Sequence, residues 1–366
     1  MPLRPSVSRC WQCSRHIRGL PMIRVSALCG VIVVAGLSPV VVVAAKPIPH
    51  YHLAREVPVA GNDGWDYLSF DRARARIFIA HGTRVQVVDA HSYAVVGEIA
   101  DTPGVHGIAL APDLGRGYIS AGRADTIVVF DLRTLARLRE IKPTGAGPDA
   151  IVYEPLSHRI VSLNGRGRSA TVIDARTDTV VGTIPLDAKP EFAVADGKGN
   201  IYVNLEDRNS IGVIDPQKLT LQQTWPIAGC REPSGLAMDR TRHRLFSVCS
   251  NRIMAVLDSS VGRLITRLPI GSHVDAAAFD SGTGLAFASN GDGTLTVVRE
   301  ISPEEFSVVQ TVATKEGART LTLDEGNHHL YSVTAKFGEL PAAAGEAAPR
   351  RPPIEPGTFV LLVVEP

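Results

Sequence analysis

The sequence predicts an all-β fold: a seven-bladed β-propeller of four-stranded antiparallel blades, its ring closed by the N-terminal strand joining the last blade. Three observations carry this. A strand ending in Val-Ile-Asp or a variant recurs every 41 to 43 residues. A second β-branched strand precedes each recurrence, and no window shows a helical period of hydrophobicity. The composition agrees. With 366 residues, 45% hydrophobic and 20% charged, the chain is too apolar for a disordered protein and too polar for a polytopic membrane protein.

Taken from the N-terminus, the first segment reads as an address. Residues Met1 to Arg24 hold five arginines and no acid, and an apolar run from Val25 to Val43 follows, ending Val43-Ala44-Ala45 before Lys46. This is the form of a secretory signal peptide over residues 1–45, cleaved after Ala45. Met22 offers a shorter alternative start. The competing reading is an uncleaved membrane anchor, since the run is nearly long enough to span a bilayer, although Ser38-Pro39 interrupts it. Cleavage leaves 33 Lys+Arg against 37 Asp+Glu, a net charge of −4. That mild acidity gives no nucleic-acid signature. A single propeller domain then occupies 46–366, expected as a periplasmic or secreted monomer with no membrane contact.

The recurring strand ends lie at Asp89, Asp131, Asp174, Asp215, Asp258 and Arg299, and the strands ahead of them at 77–80, 118–120, 160–162, 201–204, 245–248, 286–289 and 330–333. With an inner strand like 107–110 and an outer one like 179–184, each copy makes four strands, a to d, separated by polar turns. Tyr51 to Gly61 resembles 221–229, a d strand leading into a blade, and has no a, b or c strand of its own. The C-terminal repeat has a, b and c strands and then stops. The N-terminal strand is therefore expected to complete blade 7, which removes open sheet edges. Blade 7 departs from the pattern in one respect. Residues 337–357, rich in Ala, Pro and Arg, separate its b and c strands, as either a functional loop or a disordered excursion.

The blade that runs Arg159-Ile160-Val161-Ser162-Leu163-Asn164, then Ala170-Thr171-Val172-Ile173-Asp174, then Thr179-Val180-Val181-Gly182-Thr183-Ile184, resembles the YVTN-repeat β-propellers. With the signal segment and seven copies, the chain is similar to the YncE-like periplasmic members over residues 50–366. The resemblance implies the fold. It carries no catalytic motif, because one propeller scaffold hosts many activities.

Aligning the seven a strands places Asp66, His106, Asp149, Glu191, Ser234, Asp275 and Arg319 at one equivalent position, with Glu232 and His273 two residues ahead in their blades. Strand a lines a propeller's channel, so these side chains are expected to converge on its mouth as a ligand-binding site. Converging carboxylates repel one another unless water, a cation or a retained proton relieves them. His106, Glu191, Glu232, His273 and Asp275 form a candidate divalent-metal set, whose mixed donors suit Mn²⁺, Zn²⁺ or Fe²⁺ better than Ca²⁺. No other cofactor is indicated. Among the b–c loops of the same face, His81, Asn164, Asn204, Glu206, Asn251, Asn290, Asp292 and Lys336 read mainly as turn formers. His328-His329 reads as an exposed turn.

Cys10, Cys13 and Cys29 fall in the signal region. Cys230 and Cys249 remain, in loops that open on one face. They are expected to form a disulfide in an oxidising compartment, the alternative being two free thiols. The leading function is a binding or interaction module, taking a small polar ligand or a periplasmic protein at the charged mouth. The alternatives are a metal-assisted, lactonase-like hydrolase at the same place, or an accessory propeller of a periplasmic redox system.

Overall fold

Each Val-Ile-Asp motif ends its strand for a local reason. Asp89 Oδ1 accepts backbone N–H bonds from His91 (3.1 Å) and Ser92 (2.8 Å), Asp131 from Arg133 (3.0 Å) and Thr134 (2.7 Å), and Asp215 from Gln217 and Lys218 (3.0 Å each). The carboxylate replaces ladder partners that the turning chain has lost, so the strand reverses there. Blade 6 carries Arg299 instead. Its hairpin runs on, through strands Asp292–Ser302 and Glu305–Glu316, the longest in the molecule among the described residues.

The structure is a computed structural model and describes residues 48–339 and 352–366. The signal segment with Cys10, Cys13 and Cys29, and residues 340–351, lie outside the described residues. Seven four-stranded antiparallel sheets follow one another along the chain, six of them built from consecutive strands. The seventh is ordered from the outside in as His52–Pro58, Val360–Glu365, His329–Thr334 and Leu321–Asp324. The N-terminal strand thus closes the ring as expected, pairing Val57 with Leu361 and Glu56 with Leu362. Val59 N–H extends the pairing to the Phe359 carbonyl at 3.0 Å.

The core is divided by the ring. Among the described residues seven apolar clusters occur, one at each blade-to-blade interface, such as Val161, Leu163 and Ile184 of blade 3 against Ile201, Val203 and Leu205 of blade 4. No blade buries its faces alone, so stability belongs to the assembled ring. The strands of a blade read as nearly continuous apolar runs because both faces of each sheet are covered.

Cys230 and Cys249 form a disulfide with their Cα atoms 5.6 Å apart. It fixes the loop between blades 4 and 5 to strand b of blade 5. Replacing both by Ser is expected to cost about 3 kcal/mol, from restored freedom of the unfolded chain. Urea unfolding of oxidised and substituted protein checks this, and coincident midpoints would contradict it. In blade 7 the described ends of the long loop meet. Phe337 bridges Ile354, and Gly338 N–H donates to the Pro353 carbonyl at 2.8 Å. Phe337 also packs against Trp65, with ring centroids 5.7 Å apart, so this stem stands beside the first a strand. No helix among the described residues is long and apolar enough to cross a membrane.

Candidate functional site: the mouth of the central channel

The a strands open at one end on a repeated irregularity. In six blades the pairing of a with b slips by one residue, between Trp65 and Leu68, Val105 and Ile108, Pro148 and Ile151, Pro190 and Ala193, Pro233 and Leu236, and Val274 and Ala276. The predicted ring residues Asp66, His106, Asp149, Glu191, Ser234 and Asp275 all sit in these bulges, and Arg319 lies just ahead of the seventh a strand. A bulge turns one side chain out of the ladder and leaves its backbone without a partner in its own blade. The neighbouring blade supplies one. Ser120 Oγ donates to the Asp149 carbonyl, Asn204 Nδ2 to that of Ser234 (2.8 Å), Ser289 Oγ to that of Arg319, and Thr320 Oγ1 to that of Asp66 (3.0 Å). All seven ring residues are half-buried, each behind a buried residue.

Their side chains form three ion-pair groups. His106 Nδ1 lies 2.6 Å from Asp66 Oδ2 and 3.7 Å from Asp149 Oδ1. Arg319 Nη1 lies 2.6 Å from Asp275 Oδ2, and its other nitrogen donates to the Trp65 carbonyl. Lys189 Nζ lies 2.6 Å from Glu191 Oε1 and also bonds Glu206. Ser234 Oγ donates to the Val274 carbonyl at 3.3 Å and carries no charge into the ring.

Burial strains this arrangement. It pushes the Glu191 carboxyl up to about 8, helped by nearby Asp149 and opposed by Lys189. Burial also raises Asp149, against the pull of His106. The hydrogen bond to Asp66 holds His106 above the ordinary histidine range despite its burial. The three raised groups, Glu191, Asp149 and His106, have stability consequences of the same sign. Glu191 contributes stability below its ordinary carboxylate range and loses it as pH rises through about 8. His106 contributes below its ordinary value and loses as pH rises through its folded value. Wild-type protein is therefore expected to lose stability between pH 6 and pH 9, by up to a few kcal/mol for Glu191 (roughly 1.4 per pK unit), and its melting temperature should fall with it. Glu191→Gln should flatten the profile. Parallel slopes for the two proteins would contradict the assignment.

The floor of the mouth was not legible in the charge pattern. One residue after the ring position come Tyr67, Gly107, Ala150, Phe192, Gly235, Ala276 and Thr320: two aromatics among five small residues. Tyr67 is in blade 1 and Phe192 in blade 4, on opposite sides of the ring, and their ring centroids meet at 4.8 Å. The pair divides the channel. Beyond Phe192 lies a cavity of about 310 Å³ lined by Leu68, Phe70, Leu110, Ala277, Ala278 and Leu323. Four ring carboxylates act electrostatically on the Tyr67 phenol. Burial first, then Asp275, Asp66, Glu191 and Asp149, drive its pKa well above the usual tyrosine range. Repeat alignment could have found this pair, because position-by-position size contrast is visible in the sequence. Lys189 and Glu206 also join the site unpredicted as a pair.

Two expectations need correction. The five residues expected around a divalent cation, His106, Glu191, Glu232, His273 and Asp275, are not gathered: among the described residues no three His, Cys, Asp or Glu side chains converge as a metal set. Glu232 (φ 47°) and His273 (φ 56°) are exposed left-handed turn residues at positions where other blades use Gly104, Gly147 and Gly317. The turn keeps them on the loop surface, outside the half-buried ring. His328 is not a free turn residue either. Its Nδ1 lies 2.7 Å from the fully buried Asp280 carboxylate of blade 6. The b–c loop residues behave mostly as local structure formers. His81 is buried between Gln86 (2.7 Å) and the Asp63 carbonyl (3.0 Å) and stacks on Phe359. Asn164, Asn251, Asn290 and Asp292 bond within or beside their own turns.

The comparisons with known proteins bear on the scaffold. No family model matches the sequence, and no curated protein matches it. Among solved structures the chain is similar to Kuenenia stuttgartiensis hydrazine synthase, at 16% identity and TM-score 0.66 over 75% of this chain and 94% of that one. It is also similar to U3-55K, at 10% identity and TM-score 0.72 over 86% and 99%. The chain is a seven-bladed β-propeller with WD40-like neighbours. The WD40 repeats of RRP9 match at 10% identity and TM-score 0.73, over 87% of this chain and 99% of that one. At such identities the likeness is one of fold. A propeller of this kind is generally a scaffold for protein interaction or ligand binding.

Proposed function

We propose that this chain is an exported propeller of the YVTN-repeat, YncE-like type that binds a small polar ligand in the mouth of its channel. The observation that carries the reading is the division of that channel. Charged, half-buried side chains from six blades surround a floor made by Tyr67 and Phe192, so the mouth is a cup and not a passage. A concave site with a few convergent polar groups is the usual form of a ligand pocket. The signal-like segment 1–45 and the Cys230–Cys249 disulfide support export. A metal-assisted hydrolase draws no support from the donor geometry.

The test is a thermal-shift screen of small polar compounds on the mature protein and on an Asp149→Asn, Glu191→Gln double variant. A ligand at a hundred times its Kd stabilises by about 2.7 kcal/mol. Stabilisation of wild type that the double variant loses is the expected result. Equal stabilisation of both proteins would place binding elsewhere and defeat the proposal. N-terminal sequencing of protein recovered from the periplasm should begin at Lys46, and a blocked or longer N-terminus there would defeat the cleavage site.

A further inference from the structure

We propose that the ligand of the mouth is a compact organic cation, an ammonium compound seated between Asp149 and Glu191 on the Tyr67–Phe192 floor; this rests on the mouth being a ligand site. The first argument is charge balance. Five carboxylates face the mouth, on Asp66, Asp149, Glu191, Glu206 and Asp275, against the permanent cations of Lys189 and Arg319. Arg319 is held at Asp275, and Lys189 is shared between Glu191 and Glu206. His106 is bonded to Asp66, which leaves Asp149 only the longer 3.7 Å contact. Asp149 and Glu191 come from adjacent blades, and Asp149 raises the cost of charging Glu191; their side chains are only 23% and 15% exposed. A cation between them relieves that repulsion.

The second argument is independent of the acids. Tyr67 is 5% exposed, and among the described residues its hydroxyl has no hydrogen-bond partner. The charged groups that act most strongly on it are the four ring carboxylates, Asp275, Asp66, Glu191 and Asp149. Its ring, with that of Phe192, gives the floor a negative π surface. A floor of aromatic faces beneath a wall of carboxylates attracts an ammonium group, whose charge spreads over its methyl or methylene groups. A bare metal ion needs several donors close together, which the ring does not provide. An anion meets net repulsion. The Tyr67 O–H asks in addition for an oxygen acceptor, so an amino alcohol satisfies the cup better than a plain alkylammonium.

Protonation follows from the same geometry. Glu191 faces Lys189 and Glu206 in its own blade, Asp149 in blade 3, His106 in blade 2, Tyr67 in blade 1 and Arg319 in blade 7. An incoming cation displaces the proton that burial keeps on Glu191. It also meets less repulsion once His106 is neutral. Both effects make affinity rise with pH, by roughly tenfold from pH 7 to pH 9 for a group titrating at about 8.

The experiment is calorimetric titration of the mature, oxidised protein with choline, ethanolamine, tetramethylammonium and, as an anion control, sodium acetate, at matched ionic strength and at both pH values. Saturable binding of choline or ethanolamine is expected, at least tenfold weaker in Asp149→Asn and in Glu191→Gln. Tyr67→Phe should weaken choline while leaving tetramethylammonium unchanged. If no ammonium probe binds, or if binding ignores the ring substitutions, the inference is overturned. Should the ring variants fail to fold, the wild-type pH slope decides, and a flat or falling slope overturns it. An uncharged or anionic ligand whose binding the ring variants abolish would overturn the ammonium assignment and leave the mouth as the site.

Discussion

Removing residues 46–58 is expected to abolish cooperative folding of the ring. The strand His52–Pro58 forms the outer strand of blade 7 and is the one covalently distant part of that sheet. Without it, Val360–Glu365 becomes an open edge whose buried side chains Leu361, Leu362 and Val363 lose a sheet neighbour. The deleted segment also reaches blade 6. Tyr51 is 1% exposed, its ring meets Phe287 edge-on at 5.1 Å, and its backbone N–H and C=O bond the two ends of the Gln310 amide at 3.0 and 2.6 Å. One buried aromatic contributes about 1.5–3 kcal/mol by area alone. Adding the lost ladder and the partly covered Leu53 and Val57 brings the loss to on the order of 5 kcal/mol, comparable with the whole stability of a typical domain. Chemical unfolding of the truncated chain should show a broad or absent transition, and a synthetic peptide of residues 46–60 should restore it in trans. A sharp transition with a midpoint close to that of the intact protein would mean that the blade-7 closure is dispensable.

That strand was legible because its pattern matched the d strand before blade 5 and had no blade of its own. The ring was legible for a related reason. A bulge recurs at the same point of six of the seven a strands, so residues at one repeat position share one environment, and a column of Asp, His, Glu and Arg becomes a circle in space. The disulfide followed from loops that open on one face. Position in the repeat does not settle side-chain direction in turns, however. Glu232 and His273 stand two positions ahead of the ring, but left-handed backbone keeps them at the exposed surface of their loops. The expected metal set failed on that point, and on the commitment of Asp275 to Arg319. Nor does a charge pattern reveal a floor. Tyr67 and Phe192 matter because they face each other across seven-fold geometry, a relation that adjacent positions in sequence do not express. His328 was misread for a similar reason: its partner Asp280 belongs to the previous blade, 48 residues away.

The small residues that flank the two aromatics carry the second large prediction. At Gly235 an added Cβ would come within 2.6 Å of Ala276 Cα, 2.7 Å of Ala277 N and 2.7 Å of the Asp275 carbonyl oxygen, all of them backbone. Backbone cannot rotate away as a side-chain tip can, so blades 5 and 6 must separate to admit even one methyl group. Overpacking of this kind costs about 1–3 kcal/mol and sometimes more. Gly235→Ala is expected at or above the top of that range, and Gly235→Val should fail to fold. Gly107 sits at the equivalent position between blades 2 and 3 and is an internal control. Its added Cβ would meet Ile151 Cγ2 and N at 3.0 Å and the Asp149 carbonyl at 3.1 Å, distances that a shift of a few tenths of an ångström relieves. Gly107→Ala should therefore cost clearly less than Gly235→Ala in urea unfolding at one pH. Equal costs would mean that the inter-blade spacing at the mouth is not set by these glycines. The difference also reaches the site. Forcing blades 5 and 6 apart moves Asp275 and its partner Arg319, whereas a shift between blades 2 and 3 moves His106 against Asp149. Under the cup geometry, a folded Gly107→Ala protein should keep ligand binding but show an altered pH slope, since His106 and Asp149 are the groups displaced.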